Sequence, residues 1–226
     1  MTITYHPEMI QGSDEWLAIR CGLLTASEMK NIISPVKLEP VKEPAHLYEL
    51  LSQRITGYVE PQYISDDMLR GITDEVEAKI LYANTYAPVT ECGFITNNKW
   101  GFTIGYSPDG LVDEYGLIEC KSRRQKFQVE TILSAAMPAD FRIQVQTGLL
   151  VSERQWLDFI SYSAGLPMMT LRVYPDAEIQ AKIVAAATVF EDKLAGMAYE
   201  YKKRLADGLI ALLPTERKPP EQEITV

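Results

Sequence analysis

Histidine is nearly missing from this chain, with His6 and His46 the two in 226 residues. No H-E-x-x-H or G-x-S-x-G run and no Walker loop occurs, so zinc-peptidase, serine-hydrolase and P-loop chemistry have no footing. Cysteine is scarce too: Cys21, Cys92 and Cys120 lie far apart with no C-x-x-C spacing. Three such residues fall short of the four that an iron–sulfur cluster takes. A scattered, odd set suits a reducing compartment, where cysteine serves as a small hydrophobe. Long apolar runs are absent as well. The longest, Ile183 to Phe190, is alanine-rich and far below the roughly 18 residues of a membrane helix. Met1 to Gln11 shows no basic patch followed by an apolar core, so no signal peptide is expected and the expected location is the cytoplasm. Positive charge is in deficit, with 22 Lys+Arg against 31 Asp+Glu and a net charge of −9. That balance argues against broad DNA coating, which needs a basic surface. It leaves room for a local basic groove around an acidic site, where cations rather than the protein meet the phosphate.

What remains is the composition of an ordinary globule, 46% hydrophobic and 23% charged. A single domain over 1–212 with a Pro-rich, flexible tail at 213–226 is expected. Helices are expected over Ser13 to Arg20 and, from the capping-box pattern Thr25-Ala-Ser-Glu28, into Met29 and Ile32. Two more are expected over Ala45 to Thr56, closed by Gly57, and over Asp66 to Tyr86. The period then changes: Val89 to Thr96, Gly101 to Tyr106 and Leu117 to Lys121 read as strands with turns between them. A helix opened by Pro138, strands at Trp156 to Tyr162 and Met168 to Tyr174, and a final helix capped by Asp176 complete the pattern. The expected fold class is α/β, a central mixed sheet flanked by helices.

The segment that carries chemistry is Gly105-Tyr-Ser-Pro-Asp-Gly110 followed by Leu117-Ile-Glu-Cys-Lys121. Pro108 presets its φ angle and Gly110 relieves the backbone after Asp109, so Asp109 is expected at a strand end. Side chains alternate along a strand, which places Glu119 and Lys121 on one face and Ile118 and Cys120 on the other. Two carboxylates and one ammonium thus converge. Phosphodiester hydrolysis uses such a group: hard oxygens hold Mg²⁺, the ion lowers the pKa of bound water, and a lysine orients the hydroxide or steadies the charged phosphorus. The bland alternative is a surface hairpin with an ordinary turn aspartate and a Glu/Lys pair, and spacing by itself favours it, since D-x(n)-E-x-K arises often by chance. Leu117 and Ile118 ahead of Glu119 point to a strand near the core, where charge needs a reason to exist; this apolar flank brings the two readings level.

Ser-Pro-Asp-Gly followed by Glu-x-Lys resembles the PD-(D/E)XK nuclease core. The run from Trp16 to Glu28 resembles W-x(3)-R-x-G-x(2)-T-A-S-E, the first motif of the phage lambda exonuclease, or YqaJ-type viral recombinase, family. A helix with Gly71 and Glu75, and the run Gln144-Val-Gln146, match its further motifs in order. The resemblance implies that Asp109, Glu119 and the Cys120 backbone carbonyl hold divalent metal, with Lys121 beside the attacking water. Glu75 would reach the same cluster from its helix, while Glu77, on a different face, would not. Gln146 would stand near the scissile phosphate. Arg20, Thr25 and Ser27 would bind the 5′ phosphate of the digested strand, a role that a helix N-terminus at Thr25 would favour. Ser107 and Arg142 would contact DNA backbone, and Met68 and Leu69 would form an apolar wedge between the strands; a Met-Leu pair at helical spacing also suits a core.

The activity so implied is a Mg²⁺-dependent 5′-to-3′ exonuclease on linear duplex DNA, with Mn²⁺ as a substitute and two ions per site. It would release mononucleotides and leave a 3′ single strand for phage or prophage recombination. A homotrimeric ring and a single-strand annealing protein are the implied partners. The rivals are another endonuclease or repair nuclease of the same superfamily, and a non-catalytic DNA-end-binding protein. The basic run Lys121, Arg123, Arg124 and Lys126 reads either as a solvated loop or as a DNA backbone contact.

Overall fold

The structure, a computed structural model, describes residues 2–42, 44–61 and 65–217. In chain order the elements are β1 (Ile3–His6), α1 (Asp14–Arg20), β2 (Leu24–Thr25), α2 (Pro44–Thr56), α3 (Asp66–Thr85), β3 (Phe94–Asn97), β4 (Ile104–Tyr106) and β5 (Gly110–Val112). They continue with β6 (Gly116–Ser122), α4 (Gln125–Ser134), α5 (Arg142–Ser152), β7 (Trp156–Tyr162), β8 (Met169–Val173) and α6 (Ala177–Ala206). The strands form two mixed four-stranded sheets, β1-β3-β4-β2 and β5-β6-β7-β8. The expected single sheet is therefore divided, with a bridge from Thr90 to Leu111 running beside β5.

β6 is central because both its edges are used. Gly116 to Ile118 pair antiparallel with β5, and the whole strand pairs parallel with β7. Alternation then sorts its side chains. Leu117 joins Phe159, α5 residues Ile143, Val145 and Leu149, and α6 residues Ile183, Phe190 and Leu194 in the larger core. Ile118 and Cys120 join Ala78 and Tyr82 of α3 in the smaller one. The sheet is thus covered on both faces, at about 1.5–3 kcal/mol for each large apolar side chain removed from water. Behind the site Asp158 of β7 accepts the Tyr82 hydroxyl at 2.6 Å and two Arg172 nitrogens at 2.8 Å. That cluster ties α3 to β7 and β8.

Three of the six helix starts among the described residues follow local chemistry. Ser13, Ser65 and Asp176 each accept a first-turn N–H of α1, α3 and α6, and Gly57 takes a left-handed φ of 63° just past α2. The capping box at Thr25 fails. Leu24 and Thr25 pair as β2 with Ile104 and Gly105, and only a three-residue 3-10 turn, Met29–Asn31, follows. The Thr25 hydroxyl donates to the Glu28 carboxylate at 2.6 Å instead of capping a helix. The basic run is divided: Lys121 lies in β6, Arg123 and Arg124 form a short link, and Lys126 lies in α4, a helix that the strand and turn signals do not reveal. Residues 208–217 carry no helix or strand, and the rest of the expected tail, 218–226, lies outside the described residues. Among the described residues no helix is long and apolar enough to cross a membrane.

Candidate active site

Asp109 sits in the short link between β4 and β5, where its Oδ2 accepts the Cys120 N–H. β5 pairs with β6 only as far as Ile118, so the edge of β6 beyond it is open to this carboxylate. In an extended strand the N–H and C=O of one residue point to the same side, which aims the Cys120 carbonyl toward the Asp109 edge as well. Gly110 follows for want of space, not for a left-handed φ: a Cβ there would stand 2.2 Å from a Val89 methyl. Glu119, 2% exposed, is held on the opposite face from Cys120. Its Oε1 accepts the Lys121 ammonium at 2.7 Å and the Gln144 amide, and its Oε2 accepts the Tyr106 hydroxyl at 2.8 Å. Gly148 of α5 makes the last contact possible, since a Cβ there would come within 2.7 Å of the Tyr106 ring.

Burial, then the charges of Glu119 and Glu75, push the Asp109 carboxyl well above the usual carboxylate range, against the pull of Lys121 and the Cys120 N–H. Burial also raises the Tyr106 hydroxyl well above its ordinary value, with Glu119 and Asp109 adding to the effect, so it remains a donor. The Lys121 ammonium is held above its usual pKa: burial opposes the charge, but Glu119 and Asp109 outweigh it. Glu75 enters the field of Asp109 from α3 while paired to Lys79 at 3.2 Å. Glu77, two residues on, is exposed.

Among the described residues no three His, Cys, Asp or Glu side chains stand close enough to hold a metal by themselves. The donor set nevertheless fits a hard divalent cation. Mg²⁺ binds through one or two carboxylates and keeps several waters, and Asp109, Glu119 and the Cys120 carbonyl provide that many oxygens. The raised Asp109 carboxyl marks an excess of negative charge in a dry place, which a cation would relieve.

A pocket of about 180 Å³ joins Asp109, Glu119, Lys121 and Tyr106 to Trp16, Arg20, Thr25, Ser27, Ser107 and Gln144, with Glu75 and Cys120 outside its lining. The expected phosphate grip and the expected cutting centre therefore share one cavity. Arg20 stacks on Trp16 at 4.1 Å, and its terminal nitrogens reach Ser107 Oγ at 3.4 Å and Thr25 Oγ1 at 3.5 Å. Trp16 Nε1 donates to the same Ser107 Oγ at 3.0 Å. Burial lowers the Arg20 pKa, and nearby Glu28 resists the shift. Because β2 replaces the expected helix, the grip is made of side chains and not of a helix N-terminus.

The profile of the YqaJ-like viral recombinase domain matches residues 15–155. The chain belongs to that family. Among solved structures it is similar to the alkaline exonuclease LHK-Exo of Laribacter hongkongensis, at 32% identity and a TM-score of 0.76, covering 88% of this chain and 100% of that one. LHK-Exo in complex with dAMP aligns with a TM-score of 0.77 at the same identity and coverage. A phage-related exonuclease from Haemophilus somnus 129PT shares the fold at 17% identity, with a TM-score of 0.54 over 77% of this chain and 96% of its own. No curated protein sequence matches significantly. The expected fold class stands: a mixed α/β core of the PD-(D/E)XK kind.

Within this YqaJ-like core one expected residue is misplaced. Gln146 does not enter the pocket. It is buried, donates to the Tyr174 carbonyl at 2.9 Å and accepts the Asp176 N–H at 2.8 Å, which ties α5 to the start of α6. Gln144 is the glutamine that meets Glu119. Gln144→Ala is expected to lower catalytic rate with little loss of stability. Gln146→Ala is expected to cost about 1–3 kcal/mol, because it removes the two hydrogen bonds that tie α5 to the start of α6, or roughly 2–12 °C in Tm; thermal melts beside rate assays separate the two. Tyr106 and Trp16 were also missed as site residues, although both lie inside the motifs, because a buried aromatic with a polar tip reads first as core. Arg142 is half-buried at the head of α5 and lines no part of the pocket. Met68 and Leu69 are 48% and 53% exposed at the head of α3, so they are not core.

Proposed function

We propose that this chain is a Mg²⁺-dependent 5′-to-3′ exonuclease that digests one strand of linear duplex DNA to mononucleotides and leaves a 3′ single strand for recombination by annealing. The observation that carries the reading is the single pocket in which Arg20 and Ser27 stand with Asp109, Glu119 and Lys121. An end-binding grip beside a hydrolytic centre favours an enzyme that starts at a terminus. The alkaline exonuclease activity of the similar LHK-Exo, and its complex with dAMP, agree with it.

Asp109, Glu119 and the Cys120 carbonyl would hold the metal, two ions per site in the working complex, with Mn²⁺ as a substitute; Glu75 approaches from α3. The metal supplies an acidified water and charge neutralisation at the scissile phosphate. Lys121, protonated and fixed to Glu119, presents its remaining N–H groups to the attacking oxygen or the phosphoryl oxygens. Tyr106 and Gln144 hold the Glu119 carboxylate against rotation. Arg20, backed by Trp16 and Ser107, takes the 5′ phosphate by charge-assisted hydrogen bonds, with Thr25 and Ser27 adding hydroxyls. Arg142 is assigned to the DNA backbone, and the exposed Met68 and Leu69 to strand separation. A homotrimeric ring, a single-strand annealing partner and a bacterial cytoplasm complete the proposal. The exposed apolar stripe of Ile72, Val76 and Ile80 on α3 is the kind of surface that assembly buries.

Digestion of 5′- and 3′-end-labelled linear duplex beside closed circular DNA, with and without Mg²⁺, tests the activity. Early release of the 5′ label as mononucleotide from linear DNA alone is expected. Cutting of circles, or first release of the 3′ label, would overturn it. Native mass should give three chains, and a monomer at micromolar concentration would contradict the ring.

A further inference from the structure

We propose that Arg123 binds a backbone phosphate of the digested strand, the one next to the phosphate being cut on the duplex side; this rests on the exonuclease reading above. Arg123 continues the row formed by Glu119 and Lys121. Its N–H donates to the Tyr162 carbonyl at 2.7 Å, so pairing of β6 with β7 persists one residue past the strand and alternation keeps Arg123 on the catalytic face. Two residues of strand advance the chain by about 6.6 Å, close to the step between consecutive phosphates of one nucleic-acid strand.

The side chain is built as an anchor. Its guanidinium carbon lies 5.2 Å from the Phe127 ring centre and 5.3 Å from that of Phe141, and Phe141 also lies 5.5 Å from the Lys121 ammonium. The rings restrict the guanidinium without using its donors. Its neighbours are already paired: Arg124 and Arg70 both bind Asp67 at 2.7 Å. Arg123, among the described residues, has no ion pair and no acceptor for its side chain, and its Nε is buried without a partner. Glu130 and Asp140 favour its charge from a distance while burial lowers its pKa. Arg123 lines two surface clefts, about 650 Å³ beside α4 and about 600 Å³ beside α3, so an incoming strand can reach it. The two terminal nitrogens, without an acceptor among the described residues and one strand step from the cutting lysine, match a phosphodiester oxygen pair.

The test uses the full-length protein, Mg²⁺ and 5′-phosphorylated duplexes in which one linkage of the digested strand is an uncharged methylphosphonate. For wild type, neutralising the second linkage should raise KM for release of the first nucleotide on the order of 10- to 100-fold, the span of a charge-assisted hydrogen bond. Arg123→Gln should raise KM by a similar factor on fully charged duplex with kcat changed little, and the second-linkage methylphosphonate should then add no further loss. Arg123→Lys, which keeps charge but not the fork, should fall between. A KM for Arg123→Gln within twofold of wild type, or a methylphosphonate penalty that survives whole in the variant, would overturn the assignment of Arg123 alone. A wild-type protein that releases no nucleotide from any charged duplex would overturn the exonuclease reading and this assignment with it.

Discussion

Lys121→Ala should lower Mg²⁺-dependent nucleotide release on the order of 10³-fold, at the upper end of what losing one preorganised electrostatic donor costs, while binding of duplex ends stays within a few-fold. The ammonium touches Glu119 at 2.7 Å and lines the shared pocket, so in the proposed reaction its loss would strike where charge develops on the phosphate. The variant should stay folded, because Glu119 keeps hydrogen bonds from Tyr106 and Gln144. Single-turnover release from labelled duplex, beside circular dichroism and an end-binding assay, checks all three. Turnover within tenfold of wild type would remove the lysine from the chemistry.

The second large effect concerns the end itself. Arg20→Ala should erase the preference for 5′-phosphorylated over 5′-hydroxyl duplex, a ratio expected at about 10- to 100-fold from hydrogen bonds between charged partners. The loss should appear on the phosphorylated substrate and leave the hydroxyl substrate little changed. Ser107→Ala should give a milder version, since Ser107 holds both Arg20 and Trp16 without carrying charge. An unchanged ratio in Arg20→Ala would place the terminal phosphate elsewhere.

The parts of this site that were legible in the sequence are those set by local geometry. Alternation along Leu117 to Lys121 needs no tertiary knowledge, and the face shared by Glu119 and Lys121 follows from it. Ser13 and Asp176 mark helix starts by their own side chains. What failed depended on packing. Gln144 and Gln146 are two residues apart on α5, and only the docking of α5 over Tyr106 and against α6 decides which amide meets Glu119. The capping box at Thr25 is a sound local signal, overridden because Leu24 and Thr25 gain a partner strand in β4. α4 escaped notice because it inverts the usual pattern. It buries Gln128 and Thr131 while Phe127, Val129, Ile132 and Leu133 stay exposed, and Gln128 is stabilised by bonds to Ser161 and Pro167 instead of by an apolar face.

The acidic balance of the chain ceases to be a paradox once charge is followed residue by residue. Arg70 and Arg124 are neutralised by Asp67, Arg54 by Glu191 and Arg172 by Asp158. Among the described residues Arg20 and Arg123 have no ion pair, while Lys121 is bound to Glu119. These three stand beside the pocket or along its strand, where the proposed function would bring a phosphate backbone.

The physical centre of the account is that Asp109 and Glu119 are short of a cation, and metal titration tests that most directly. Mn²⁺ added to the full-length protein, followed by calorimetry or electron paramagnetic resonance, should bind at up to two ions per chain. Affinity should strengthen as pH rises, because the raised Asp109 carboxyl must lose its proton to coordinate. Asp109→Asn should abolish the tighter site and most of this pH dependence. Mn²⁺ binding of equal affinity in wild type and Asp109→Asn would contradict the account.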